Sequence, residues 1–122
     1  MRTTMCLGLL VLVVLGSMLA ACGGGSPSVT GEAAAGQKIY IANCALCHGQ
    51  GGVGKPALGK DLRQSAFIGG LTDDEVVEFL KEGRRANHPL NERGVDMPPR
   101  GGNPGLSDEN LRLIVAYLRG LS

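Results

Sequence analysis

Apolar and polar positions divide the chain into stretches of very different character. From Met5 to Ala21 nearly every residue is apolar, and Arg2 places a positive charge ahead of the run. That order, ending in small residues, is the order of an export signal, and the run is too short and too N-terminal to be judged a membrane-spanning helix on length alone. Gly23-Gly24-Gly25-Ser26-Pro27-Ser28 then has linker composition and no apolar face. Between Glu32 and Cys47 the residues Ile39, Ala42 and Leu46 recur at spacings of three and four, which predicts a helix. Residues 49–70 are glycine-rich and without period, so a loop is expected there. Thr72 followed by Glu75 is a capping box opening a helix that carries Val76, Val77, Phe79 and Leu80 and stops at Gly83. Residues 84–106 hold four prolines and no regular pattern, and a loop of that length inside a small domain is expected to have a task. Ser107-Asp108-Glu109 starts the last helix, whose stripe Leu111, Ile114, Val115, Leu118 runs to Gly120. The predicted fold class is all-α, with about three to four helices joined by long loops and no internal repeat.

Composition sharpens this picture. The 122 residues include two Phe, two Tyr, no Trp and twenty Gly. A domain of roughly 100 residues with so few large side chains lies near the lower limit for a self-sufficient core. Small domains of this kind usually need disulfides, a metal or a bound group. Removal of residues 1–21 leaves eleven basic and eleven acidic side chains, and a formal charge near zero argues against a nucleic-acid partner.

The four cysteines do not behave as two disulfides. Cys6 lies in the signal segment, so three would survive processing. Leu19-Ala20-Ala21-Cys22 resembles the lipobox of bacterial lipoproteins. That resemblance implies cleavage before Cys22, a diacylglyceryl group on its sulfur and an acylated amino terminus, a combination sufficient for stable anchoring. Ordinary signal cleavage with a stray cysteine, or an uncleaved anchor, are the competing readings. The expected organisation is a signal peptide over 1–21, a tether over 22–34 with Cys22 lipidated, and a domain over 35–122. The tether would reach on the order of 20 Å from an extracytoplasmic membrane surface.

Cys44-Ala45-Leu46-Cys47-His48 is the signature of c-type haem attachment. On a helix Cys44, Cys47 and His48 stand at i, i+3 and i+4 and face one side, so two thiols can meet two vinyl groups while the imidazole reaches the iron. A redox-active cysteine pair and half of a zinc site are the alternatives. The zinc reading lacks soft ligands, since His88 is the only other histidine or cysteine besides Cys22 in the processed chain, and no strand pattern supports a thioredoxin-like motif. Met97 is the single methionine outside the signal segment, and Pro98-Pro99 force it into an extended path. Its soft thioether suits a sixth iron ligand, with His88 as competitor.

Residues 35–121 resemble class I c-type cytochromes. The matching residues are Gly36-Gln37-Lys38-Ile39-Tyr40, the Cys44–His48 motif, Gly54-Lys55-Pro56-Ala57-Leu58, Met97-Pro98-Pro99, Leu106-Ser107-Asp108-Glu109 and Ile114-Val115-Ala116-Tyr117-Leu118. The resemblance implies one covalent haem c and one-electron transfer, with redox partner proteins in a respiratory or photosynthetic chain. It implies that Gly36 and Tyr40 sit where the first helix crosses the last, against Tyr117. It further implies that the Pro56 carbonyl accepts a hydrogen bond from His48 Nδ1. The chain departs from shorter versions of the pattern between Arg84 and Asp96. Lys60, Arg93 and Arg100 are candidate haem-propionate partners, and Lys81, Arg84 and Arg85 a candidate docking patch. A haem sensor or enzyme, in which Met97 dissociates to open a site, is the alternative function. A haem-free lipoprotein adaptor with a Cys44–Cys47 disulfide is a third.

Overall fold

The computed structural model describes residues 31–121. The expectations for the export signal, for Cys22 and for the glycine linker lie outside the described residues. Five α-helical segments follow one another: α1 (Gly31–Asn43), α2 (Ala45–His48), α3 (Ala66–Gly69), α4 (Asp73–Glu82) and α5 (Asp108–Arg119), with short 3₁₀ turns at Gln50–Gly52 and Pro99–Gly102. Helix α1 takes in residues 31–34, which were expected in the tether. No helix among the described residues is long and apolar enough to cross a membrane.

The core forms where α1 lies against α5, with α4 alongside. Helix α5 buries Leu111, Ile114, Val115 and Leu118, the whole of the expected stripe, together with Tyr117. Its N-terminus is closed by Ser107, whose hydroxyl accepts from the Asn110 N–H while the Asn110 side chain accepts from the Ser107 N–H. The Thr72–Glu75 box on α4 forms as expected, and α4 buries Val76, Val77 and Leu80. Arg119 ties α5 to the short α3 and the start of α4: its guanidinium donates to the carbonyls of Ile68 (2.7 Å) and Leu71 (2.6 Å) and to Asp73 Oδ1 (2.9 Å).

Helix α1 differs from expectation. Its buried residues are Ala33, Gly36 and Tyr40, whereas Ala42 is exposed and Leu46 is 78% exposed. Gly36 decides the facing side. A Cβ there would overlap the Leu113 carbonyl and touch Tyr117, so the α5 backbone packs directly on the α1 backbone at this point. One turn later Tyr40 meets Tyr117, with ring centroids 5.1 Å apart and planes inclined by 52°. The expected crossing of first and last helix through these three residues is therefore present. Helix α3, capped by Ser65, falls in the stretch whose lack of period predicts a loop; four residues are too few to show a period.

Candidate haem site

The site is built on the junction of α1 and α2. The predicted helix over Glu32–Cys47 is kinked at Cys44, whose φ of −111° departs from helical values. The hydrogen-bond ladder nevertheless continues across the kink, with Cys44 N–H donating to Tyr40 O (2.8 Å) and His48 N–H to Cys44 O (2.9 Å). Cys44, Cys47 and His48 thus keep helical spacing and all line one cleft of about 300 Å³. Ile68, Phe67, Phe79, Leu80, Leu111 and Ile114 supply apolar wall from α3, α4 and α5. The two thiols are free. Burial, and secondarily the neighbouring Cys47, pushes the Cys44 thiol up to about 11, so it stays protonated at neutral pH and is a poor partner for thiolate-driven disulfide formation. Tyr40 is pushed further up, chiefly by its burial, and donates its hydroxyl proton to the Gly49 carbonyl at 2.9 Å. That bond fixes the residue directly after His48.

Met97 enters the same cleft from the long loop. Its backbone pairs with Arg84 in an antiparallel bridge, N–H to C=O at 2.8 Å in both directions, so the extended path expected from Pro98-Pro99 is observed. The competitor His88 is exposed, does not line the cleft, and uses Nδ1 to accept from the Leu90 N–H at 3.1 Å.

The carbonyl that orients His48 is that of Lys60, not Pro56. His48 Nδ1 lies 2.9 Å from Lys60 O. A carbonyl can only accept, so Nδ1 carries the proton and Nε2 keeps the lone pair that binds metal. The reason is the turn at residues 55–59. Ala57 adopts a positive φ of 57°, and the turn closes through Lys55 N–H to Gly59 O (2.9 Å). Gly59 N–H then bonds Cys47 O (3.1 Å), which draws residues 59 and 60 against the ring and leaves Pro56 exposed.

The cations also redistribute. Lys60 pairs with Glu92 at 2.8 Å. Arg100 bonds Asp108 (2.8 Å) and the Leu106 carbonyl (2.6 Å), tying the segment after Met97 to the start of α5. Lys81 is shared between Glu78 and Asp108. Lys81, Arg84 and Arg85 therefore do not form one free docking patch. Arg93 remains an exposed cation at the rim. Arg84, expected as part of a candidate docking patch, lines the cleft with its guanidinium 4.5 Å from the Phe67 ring centre and 4.8 Å from that of Phe79. Nothing in its sequence neighbourhood signals this, because Phe67 belongs to a segment without period.

The donor chemistry fits a porphyrin better than a bare ion. Two thiols, one oriented imidazole and one thioether share an apolar cleft, whereas no group of three His, Cys, Asp or Glu among the described residues could hold a metal by itself. Fold and site together define a small helical protein shaped around a covalently attached prosthetic group.

Comparison with known proteins agrees. Residues 31–118 match the family described as Cytochrome C oxidase, cbb3-type, subunit III. The chain is 34% identical over 91 residues to cytochrome c-555 of Chlorobaculum thiosulfatiphilum, covering 75% of this chain and 98% of that one. It is 32% identical over 99 residues to the cbb3-type cytochrome c oxidase subunit FixP of Azorhizobium caulinodans, covering 80% of this chain but 30% of that protein. A solved structure described as KustC0563 c-type cytochrome aligns with a TM-score of 0.49 at 19% identity, covering 70% of this chain and 95% of that one. The chain belongs to the c-type cytochrome family, of the cbb3-type and c-555 kind. Its cofactor is covalent haem c, and its chemistry is electron transfer.

Proposed function

We propose that Cys44 and Cys47 bond the haem, that His48 and Met97 are its two axial ligands, and that the chain carries single electrons while a lipid on Cys22 tethers it to an extracytoplasmic membrane surface. The observation that carries the ligand assignment is the convergence of all four side chains on one apolar cleft from two distant parts of the chain. Cys44 and Cys47 would hold the porphyrin through two thioether bonds, each thiol adding across a vinyl group, and bound haem would supply the ferric–ferrous couple. His48 is held by the Lys60 carbonyl with Nε2 free to coordinate, and the hydrogen bond raises the basicity of the ring. Met97 contributes a soft ligand that favours the reduced state and raises the potential. With His48 and Met97 both committed to the iron, the protein would leave no position open for a substrate, which suits a carrier and not a sensor. Leu19-Ala20-Ala21-Cys22 and the glycine-rich stretch behind it support the anchor. Donor and acceptor would be membrane redox complexes, reached as a shuttle or from within a larger assembly.

A low-temperature absorption spectrum of the oxidised, matured protein tests the ligation. A far-red sulfur-to-iron charge-transfer band is expected, absent from Met97→Ala, and the ferrous protein is expected to be inert to carbon monoxide at neutral pH. Rapid and complete carbon monoxide binding would instead establish the sensor reading.

A further inference from the structure

Main-chain pairing sets the height of Met97 in the cleft. Its N–H and C=O are both taken by Arg84, in the single isolated bridge found among the described residues. One bridge in a loop is weak unless something fixes its other half. Gly83 fixes the approach: at φ 70°, an added Cβ would overlap the Met97 carbonyl oxygen, so the two backbones touch as closely as glycine permits. The Arg84 side chain fixes the rest. Its guanidinium lies over Phe67 and Phe79, whose rings are themselves packed edge to face with centres 4.9 Å apart, and Nη1 donates to the Leu90 carbonyl at 3.3 Å. No ion pair among the described residues involves Arg84, so the aromatic pair is its principal anchor.

We propose that Arg84 is the positioning residue for the Met97 thioether: the stacked guanidinium anchors the Gly83–Arg84 peptide, and that peptide holds Met97 at ligating depth. This rests on Met97 being the distal ligand. Loss of the stack leaves the bridge free to open and the sulfur free to leave the iron, without touching the haem attachment at Cys44 and Cys47.

The test titrates matured holoprotein with imidazole, which competes for the Met97 position, and follows loss of the far-red band. The wild type is compared with Arg84→Ala, Arg84→Lys, Met97→Ala and Ala33→Gly. The last weakens the start of α1, outside the cleft and apart from α3 and α4, which carry the two rings. Arg84→Ala is expected to bind imidazole about tenfold more tightly, the size of a lost stacked cation–aromatic contact. Arg84→Lys should recover part of the difference, and Ala33→Gly should leave imidazole affinity at the wild-type level. Unchanged affinity in Arg84→Ala, or an equal change in Ala33→Gly, overturns the positioning role. Survival of the band in Met97→Ala overturns the ligand assignment itself, and the positioning role with it.

Discussion

Gly36→Ala isolates the contact that aims the cysteine-bearing turn. In the middle of a helix, glycine to alanine ordinarily stabilises by about 1 kcal/mol. Here the new Cβ would overlap the carbonyl group of Leu113 and stand 3.1 Å from Tyr117 Cβ. A carbonyl in a helix cannot rotate aside as a side chain can, so α1 and α5 must separate. Overpacking of this kind costs about 3 kcal/mol. Separation also loosens the Tyr40–Tyr117 ring pair, a loss of about 1 kcal/mol. The balance is a net destabilisation of about 3 kcal/mol, or a fall in Tm of roughly 12–24 °C for a domain of this size. Because Tyr40 also holds the Gly49 carbonyl, the strain reaches the segment just after His48. The measurement is thermal unfolding of matured holoprotein by far-ultraviolet circular dichroism. A Gly36→Ala protein with a Tm equal to or above that of the wild type would refute the reasoning, since propensity would then have outweighed the close approach.

Arg119→Ala should lower the unfolding free energy from urea titration by about 2 kcal/mol at unchanged m, because two carbonyls at the α3–α4 junction lose a charged donor. Acid should weaken the fold through its exposed carboxylates. Hydrogen bonds from Arg63 lower Asp61 to about 2, the Thr72 backbone lowers Glu75, and Arg100 lowers Asp108. Their folded values lie below their unfolded ones, so the stability they contribute is present above the ordinary carboxylate range and is lost as pH falls through the lowered values. The urea midpoint should be flat from neutral pH to about pH 5 and decline below it, with a shallower decline in Asp61→Asn. Cys22→Ala is expected to move the haem protein from the membrane fraction to the soluble extracytoplasmic fraction; persistence in the membrane would refute the lipid anchor.

Features written in local chemistry were legible along the chain. The caps at Thr72 and Ser107 use side chains that bond backbone only three residues away, so identity and spacing suffice to find them. The α5 stripe faces a core on one side and solvent on the other, and its period records that. Cys44, Cys47 and His48 are brought together by helical spacing, and Met97 is marked by its isolation and by the two prolines after it.

Long-range contacts decided the rest. The buried face of α1 is set by a side chain that is missing, at Gly36, which hydrophobic periodicity cannot register; of the expected stripe Ile39 does pack on the core, Ala42 is exposed and Leu46 borders the cleft. The His48 acceptor moved from Pro56 to Lys60 because the Gly59 N–H finds Cys47 O, twelve positions back. Arg84 became part of the site only when the packing of α3 against α4 placed Phe67 beside Phe79 under its guanidinium. By itself, then, the sequence determined which residues are candidates to meet the haem, because those residues carry the chemistry. Their aim was decided by the tertiary structure, because backbone carbonyls and stacked rings from distant segments have no sequence period to reveal them.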